Sequence, residues 1–268
     1  MSFDSDMAAE DFLELASSLR LGIIFKLFEK RSTLSVVAKE LNTTVPEAHR
    51  NFERLAKAEL IIKEGDGKYQ LTTYGKIICS QIPSLVFISQ NRKYFRHHDI
   101  KGAPEKFIQR IGALQNGKHI SGFVKVLECW KDIYNNSGEY IFNILSEVPY
   151  TADLMKPLAE KIKKGVQLRS IFSESAIIPK DRKKVVADFG LKKFIEQGLI
   201  ERKMKSDISV LVVLNEKEAC VMFPTTDGEP DLSQGFYSSE VFFHEWCKDY
   251  FNYCWDTSRT FQEDKLKE

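Results

Sequence analysis

Residues 33–60 read TLSVVAKELNTTVPEAHRNFERLAKAEL, and this stretch decides the N-terminal fold. Its first half has apolar residues at helical spacing, which predicts a short amphipathic helix. These residues are Leu34, Val37, Ala38 and Leu41. Asn42 and Thr43 follow, and both residue types favour turns because their side chains compete for backbone hydrogen bonds. The first helix should therefore end at this point.

A second helix is predicted to start after Thr44. Glu47 comes three residues later, and this Thr-x-x-Glu spacing is typical of a capping box at a helix N-terminus. Pro46 falls in the first turn, where its missing N–H costs little. Helical spacing places Val45, Ala48, Phe52 and Leu55 on an inner face.

The opposite face of this second helix is cationic. Arg50, Arg54 and Lys57 point away from the apolar face at about 100° per residue. An apolar inner face and a cationic outer face suit a helix that lies in the major groove of DNA. A solvated amphipathic helix pair is the alternative interpretation of the same pattern.

A β-hairpin is predicted immediately after the helix pair. Two short alternating runs, residues 60–64 and 68–72, flank the turn Gly65-Asp66-Gly67. A hairpin in this position forms a wing beside the DNA backbone. Lys63 and Lys68 would then be phosphate partners.

The order of helices, turn and hairpin resembles the winged helix-turn-helix domain of ArsR-like transcription regulators of archaea and bacteria. The chain departs from that pattern at Glu59, where those domains usually have glycine before the wing. We predict that Arg50 is best placed for a bidentate contact with guanine. The predicted DNA-binding residues are Thr44, Pro46, Glu47, His49, Arg50 and Arg54, with Lys57, Lys63 and Lys68 at phosphates.

Composition is that of an ordinary globular protein, with 43% hydrophobic and 29% charged residues among 268. No apolar run reaches about 18 residues, so we expect no membrane span. The five cysteines are scattered and the N-terminus lacks a secretion signal, which favours a reducing cytoplasm. The net charge of +1 predicts weak non-specific affinity for DNA.

Helices are expected on both sides of the helix-turn-helix. Residues 7–30 keep an apolar rhythm that predicts one opening helix, and Thr72 or Thr73 can cap another that continues to Leu85. Pro83 should kink or split this second flanking helix. We place the DNA-binding domain with its linker helix at residues 1–90, and a second domain for ligand sensing and dimerisation at 91–268.

The start of the second domain carries a second resemblance. Phe95-x-x-His98-Asp99-Ile100, then Pro104-Glu105-x-Phe107 and Ile111-Gly112-x-Leu114, is similar to the entry of the middle domain of archaeal regulators related to the methanogenesis-regulatory protein. Adjacent histidines point in different directions, so His97 and His98 favour a capped turn over a metal site.

Strands then alternate with helices. The predicted strands are 140–145, 166–172, 199–204, 208–214 and 219–223, and the predicted helices are 151–164, 181–197 and a last one capped by Ser238 or Ser239. The run ISVLVVL predicts a central strand that is covered on both faces. In the last helix, an aromatic stripe of Phe242, Trp246, Tyr250, Phe251 and Trp255 should be core. The fold class expected for the whole chain is α+β, with a C-terminal α/β layer domain and a mixed sheet.

This C-terminal pattern also resembles the phospholipase D-like effector domain of TrmB-type regulators. The enzymes of that fold carry His-x-Lys-x(4)-Asp, and no such triplet occurs here. The resemblance therefore implies a binding domain without phosphodiester chemistry. Dinucleotide-binding, Walker and nucleophile-elbow motifs are also absent from the sequence, so neither a cofactor nor an enzymatic activity is expected.

Two smaller groups of residues allow a ligand. Arg169 lies on an otherwise apolar strand and needs an anionic ligand or an acidic residue, and Asp227 could help to close the same cavity. His244, Cys247 and Cys254 share a helical face, for which buried packing is favoured over a metal or redox site.

The interpretation that fits these patterns best is a cytoplasmic, homodimeric transcription regulator. It would read a palindromic operator in double-stranded DNA and sense an unknown small-molecule effector or partner, with no membrane and no metal involved. A phospholipase D-like phosphodiesterase or nuclease with a DNA-targeting module is one alternative. A winged helix used only for protein contacts is the other.

Overall fold

The computed structural model describes residues 5–147, 152–177, 184 and 187–263. The chain divides into two compact units, Met1–Pro83 and Ser84–Glu268. The division falls seven residues before the predicted one at residue 90, and it lies inside a helix. Within the described residues, every helix is too short or too polar to cross a membrane.

The first unit is a small helical domain with a two-stranded hairpin. Its elements are α1 (Ser5–Leu15), α2 (Ser18–Glu29), α3 (Leu34–Glu40), α4 (Val45–Lys57), β1 (Ile61–Lys63), β2 (Tyr69–Leu71) and α5 (Thr73–Gln90), which continues into the second unit. Strands β1 and β2 pair antiparallel with Ile61 opposite Leu71. The helix-turn-helix and the hairpin predicted from the sequence are therefore both present.

One prediction about the flanking helices was wrong, and the split expected at Pro83 does not occur. Residues 7–30 form two helices rather than one, because Ser17 is extended and its side chain caps α2 by accepting from the N–H of Arg20. Pro83 does not split α5, which runs unbroken from Thr73 to Gln90. A proline inside a helix removes one amide hydrogen bond and crowds the carbonyl four residues earlier. The burial of Ile82 and Phe87, on either side of Pro83, stabilises the helix against this cost.

The core of the first unit confirms most of the predicted inner face of α4. Ala48, Phe52 and Leu55 are buried, and the ring of Phe52 meets that of Tyr69 edge to face at 4.7 Å between centroids. Val45 is the exception, since its side chain is 54% exposed. It lies in the first turn of the helix, beyond the edge of the packed face.

The second unit is a three-layer α/β domain built on one eight-stranded mixed sheet. Its strands are β3 (Lys118–Ser121), β4 (Tyr140–Glu147), β5 (Gln167–Ile177), β6 (Ile200–Lys205), β7 (Leu211–Asn215), β8 (Ala219–Met222), β9 (Gln234–Ser238) and β10 (Arg259–Thr260). Their order across the sheet is β10-β6-β5-β4-β7-β8-β9-β3. Strands β4, β5 and β6 are parallel, whereas all other pairs are antiparallel.

Helices cover both faces of this sheet. The α-helices that the described residues of the unit define with both ends are α6 (Glu105–Gln109), α7 (Phe123–Asn136), α8 (Ala152–Lys163), α9 (Leu191–Glu196) and α10 (Val241–Thr257). Helices α7, α8 and α9 pack on one face, and α6 and α10 pack on the other. All five residues of β7 are buried, which confirms the predicted central strand. The mixed α+β fold class is confirmed as well.

Several details of the second unit differ from the prediction. Strands β3, β9 and β10 and helix α7 were not predicted. Phe242 is 74% exposed, and Phe243 takes its place in the core. Helix α10 begins at Val241, since the hydroxyl of Ser238 accepts from the N–H of Glu240 instead of capping the helix directly.

The predicted helix at 181–197 is also interrupted. Residues 181–183 and 185–186 lie outside the described residues. In the described part, Gly190 has a φ of 65°, and α9 begins only at Leu191. A left-handed residue at this point ends one helical segment before the next starts.

Candidate nucleic-acid interface

The N-terminus of α4 is held by half of the predicted capping box. The hydroxyl of Thr44 accepts from the N–H of Glu47 at 3.3 Å. The carboxylate of Glu47 accepts from the hydroxyl of Thr43 at 2.9 Å, one residue earlier than the predicted partner. Thr44, Pro46 and Glu47 are all exposed, so this end of the helix faces solvent.

Arg50 and Lys57 are the free cations of α4. Both side chains are exposed, and neither forms a hydrogen bond or an ion pair with any described residue. They lie two turns apart on one side of the helix, about 10 Å along its axis. This spacing and freedom leave both side chains available to an anionic partner.

Arg54 differs, because Glu14 of α1 already binds it. Its Nε donates to one carboxylate oxygen of Glu14 at 3.1 Å, and a second nitrogen donates to the other oxygen. The hydrogen bond from Arg54 lowers the pKa of Glu14 by more than burial raises it. Arg54 remains 51% exposed, so a bidentate pair holds the side chain at the surface without covering it.

Arg20 of α2 completes this network from inside the unit. Its guanidinium lies 3.2 Å from the Glu14 carboxylate and donates to the carbonyls of Glu14 and Leu13 at 2.6 Å and 2.8 Å. It also reaches the side-chain oxygen of Asn51 on α4 at 3.4 Å. Arg20 is only 9% exposed, so it fixes the end of α1 against α4 from the buried side.

His49 and the wing residue Lys68 each lie beside an acidic residue. His49 lies 3.4 Å from the carboxylate of Glu53. At the wing tip, Asp66 accepts from the N–H of Lys68 and lies 3.7 Å from the amine of Lys68 and from Arg31. That backbone hydrogen bond lowers the pKa of Asp66. Phosphates would therefore have to compete with Asp66 for Lys68.

Lys63 projects from β1 and lies 5.8 Å from the centre of the Tyr69 ring. It is exposed and forms no ion pair with a described residue. The structure thus brings the predicted DNA-binding residues together in one unit. They differ in availability. Within the described part of the chain, Arg50, Lys57 and Lys63 have no acidic partner, whereas Arg54, His49 and Lys68 each have an acidic neighbour.

Glu59 lies at the corner between α4 and the wing, where the resemblance places glycine. Its φ is 57°, in the left-handed region that glycine adopts readily. The N–H of Glu59 donates to Ala56 and the N–H of Leu60 donates to Leu55, both at 3.0 Å. This is a Schellman motif with glutamate in the position that favours glycine. The departure in sequence therefore leaves the expected geometry intact.

The predicted ligand residues of the second unit do not meet. Arg169 pairs with Glu201 at 3.3 Å and lies over the rings of Phe142 and Trp255. An acidic residue is thus present for this arginine. Asp227 is exposed in a turn, and no contact given by the described residues joins it to Arg169. A ligand at these two residues remains a prediction.

The predicted histidine turn is a buried contact. His98 is 4% exposed, its Nδ1 lies 3.0 Å from the carbonyl of Tyr94, and its Nε2 lies 2.8 Å from Asp231. Its ring stacks on that of Tyr94 at 3.7 Å. In the part of the chain that the structure describes, no cluster of three acidic, histidine or cysteine side chains could hold a metal.

The cysteines of α10 are packed in the core. Cys247 and Cys254 are buried, and burial raises the pKa of both thiols, that of Cys254 to about 11. His244 contacts the carbonyl of Asn215 at 2.6 Å. A thiol whose pKa is raised is a poor nucleophile and a poor metal ligand.

No protein-family model and no curated protein matches this chain. Among solved structures, it is similar to TrmBL2, an archaeal chromatin protein that shows a novel mode of DNA binding, with 11% identity, 97% of this chain and 100% of that chain covered, and a TM-score of 0.43. It is also similar to Nuc, a phospholipase D family member from Salmonella typhimurium, with 12% identity, 55% and 100% covered, and a TM-score of 0.40.

A third similar structure is a putative O-methyltransferase from Nostoc punctiforme. It is 11% identical, 77% of this chain and 65% of that chain are covered, and the TM-score is 0.29. All three TM-scores lie below 0.5, so none of these likenesses supports an argument about function. The functional proposal therefore rests on the geometry of the first unit.

Sequence reasoning missed Glu14 and Arg20. The sequence does contain a signal for Arg20, a single arginine within the apolar helix SLRLGIIF. A charged side chain in such a helix needs a partner when it is buried. Glu14 had no comparable signal, because it belongs to an acidic N-terminal segment in which every carboxylate could equally be solvated.

Proposed function

We propose that this protein is a DNA-binding transcription regulator whose helix α4 enters the major groove. The observation that carries the proposal is Arg50, which is exposed at the middle of the outer side of α4 and has no acidic partner among the residues that the structure describes. The inner side of the same helix is fixed by Ala48, Phe52 and Leu55 in the core. A rigid helix that presents a free guanidinium is suited to bidentate recognition of guanine.

Neighbouring residues would complete the interface. Lys57 and Lys63, which have no acidic partner among the described residues, would meet phosphates. The exposed first turn of α4, with Thr44 and Pro46, would face the groove. Arg54 would contact DNA while its guanidinium remains bound to Glu14. Contacts of this kind are few, so specific base contacts and dimerisation must supply much of the affinity.

The dimer is part of the proposal. Helices α1 and α5 are joined by a hydrogen bond from Tyr74 to Asp11. They expose large apolar side chains, Phe12 at 61% and Ile77 at 58%. Two copies joined through these helices would read a palindromic operator with half-sites about 34 Å apart.

The second unit would bind a small-molecule effector or a partner without catalysis. Its sequence lacks the His-x-Lys-x(4)-Asp signature of the phospholipase D enzymes. Turnover of a phosphodiester substrate by the purified protein would contradict this part of the proposal.

The test of DNA recognition starts from genomic fragments that the purified protein retains. In a mobility-shift assay on a retained fragment, Arg50→Ala should lose sequence preference, with a cost of about 1–3 kcal/mol at the contacted base pair. Lys192→Ala, which removes an exposed charge from α9, is the control and should bind normally. Normal, sequence-selective binding by Arg50→Ala would refute the proposal.

A further inference from the structure

We propose that a cavity lined by β3, α7 and β9 binds a small zwitterion, in which a methylene chain joins an ammonium group to a carboxylate. The cavity has a volume of about 430 Å³, which lies within the usual range of ligand pockets. This inference names the chemical class of the effector, and so it rests on the effector role proposed for the second unit.

Four charged side chains line the cavity, two of each sign. They are Lys118 of β3 and Lys125, Glu128 and Asp132 of α7. All four are exposed, and none forms an ion pair or a side-chain hydrogen bond with a described residue. A ligand with charge of a single sign would meet two like charges here. A zwitterion can instead place each of its charged groups beside charges of opposite sign.

Helix α7 holds its charges apart on one face. Lys125 and Asp132 are two turns apart, about 10 Å along the helix axis, and Glu128 lies between them. Opposite charges therefore stand at the two ends of this wall. The separation suits a ligand whose ammonium and carboxylate are several carbon atoms apart.

Tyr237 of β9 makes the Asp132 end of the cavity suitable for an ammonium group. Its hydroxyl donates to Glu218, which is 5% exposed and also accepts from Asn136 at 2.9 Å and from Asn215 at 3.3 Å. Burial raises the pKa of Tyr237, and the hydrogen bond to Glu218 and the negative charge of Asp132 raise it further. Because the phenol hydrogen is bound to Glu218, the Tyr237 oxygen can accept from a ligand but not donate to it. An ammonium group only donates, so it matches this oxygen and the carboxylate of Asp132.

Apolar surface is also present in the cavity. Ile120 packs against the core that includes α7, and Cys129 is 8% exposed. A hydrogen bond with Cys220 and burial raise the pKa of the Cys129 thiol well above its ordinary value, so it stays neutral. A methylene chain can pack on these side chains while its charged ends reach Lys125 and Asp132.

The test is an NMR titration of the full-length protein with 6-aminohexanoate, whose charges stand at the two ends of a methylene chain. Hexanoate and 1-aminohexane have similar chains with one charge each and are the controls. We expect 6-aminohexanoate to bind and each control to bind at least tenfold more weakly. Equal binding by either control would overturn the proposal, as would no binding of 6-aminohexanoate at millimolar concentration.

Lys125→Gln and Asp132→Asn each remove one charge from the cavity. We expect each variant to bind 6-aminohexanoate at least tenfold more weakly, as the loss of a charged hydrogen bond predicts. Lys131→Gln, at an exposed lysine of α7 that does not line the cavity, is the control and should bind as the parent does. Parental affinity in either cavity variant would overturn the proposal.

Hexanoate separates loss of a charge from loss of the fold. Asp132→Asn removes a carboxylate that repels hexanoate, so this variant should bind hexanoate more tightly than the parent does. An equal loss of affinity for hexanoate and 6-aminohexanoate would contradict the role given to Asp132. These titrations contain no DNA, so their failure would leave the proposed recognition of DNA by Arg50 untouched.

Discussion

Glu59 shows how one residue can meet a backbone demand that its side chain does not favour. The turn after α4 needs a left-handed residue, and Glu59 adopts a φ of 57° there. Asn42 meets the same demand after α3 with a φ of 51°. Asparagine tolerates this region better than glutamate does. The first helix-to-turn junction is thus matched to its residue, whereas the second one is strained.

Replacing Glu59 by glycine should therefore stabilise the protein. We expect Glu59→Gly to raise the free energy of unfolding by about 0.5–1 kcal/mol, since relief of left-handed strain exceeds the added flexibility of the unfolded chain. Urea denaturation measures the change. Glu53→Gly, within α4, is the control and should lower stability by about 1 kcal/mol. A loss of stability in Glu59→Gly would show that the carboxylate itself holds the corner.

His98 and Asp231 form the second residue-level contact with a measurable consequence. Burial raises the pKa of Asp231, but the hydrogen bonds from Ser233 and His98 outweigh it, and the net effect lowers the pKa below 3.8. A carboxyl whose pKa is lower in the folded state adds stability above its unfolded pKa. That stability is lost as the pH falls through the folded pKa.

The variant Asp231→Asn should therefore be less stable than the parent at pH 7, and the difference should shrink as the pH falls below about 4. Thermal unfolding at a series of pH values measures it. Asp227→Asn, in the same loop but exposed, is the control and should follow the parent throughout. A difference that is constant with pH would mean that Asp231 acts through shape rather than charge.

At the scale of elements, α1 and α4 are connected through charge. Glu14 at the end of α1 binds Arg54 on α4 and is itself held by Arg20 of α2. The neighbouring α5 is placed by a close approach, because a Cβ at Gly75 would lie 2.0 Å from the carbonyl oxygen of Leu60. Glu14 of α1 thus offsets part of the positive charge on the outer side of α4.

Glu14→Gln should release Arg54 from its carboxylate partner. We expect tighter binding to random DNA at low salt, and a plot of log affinity against log salt that is steeper by about one phosphate contact. Filter binding at several salt concentrations measures both. Glu53→Gln removes the same charge from α4 without freeing Arg54, so its slope should stay parental. An unchanged slope in Glu14→Gln would show that Arg54 does not contact phosphates.

At the scale of the whole molecule, the proposed regulator needs two copies of α4 at a fixed spacing. The apolar side chains that α1 and α5 expose supply a surface for this association. The positive and negative charges of the chain nearly cancel, and the net charge of +1 gives little long-range attraction to DNA. Affinity should therefore depend on the dimer more than on charge.

Ile77→Asp should disrupt this association, because it places a carboxylate in the apolar surface of α5. Sedimentation should show a dimer for the parent and a monomer for the variant, and the variant should bind a palindromic site at least tenfold more weakly. Val36→Asp, at an exposed aliphatic residue of α3, is the control and should remain dimeric. A parent protein that is monomeric at micromolar concentration would contradict the proposed dimer.

By itself, the sequence determined the helix-turn-helix, the hairpin and the central strand β7. Their signals are local: apolar spacing, the Thr44 cap and the Gly65-Asp66-Gly67 turn act within a few residues. Only the tertiary structure decided that Glu14 binds Arg54, forty residues away, and that His98 meets Asp231. It also revealed β3 and β9, because short strands are stabilised by their pairing partners and carry little periodicity of their own.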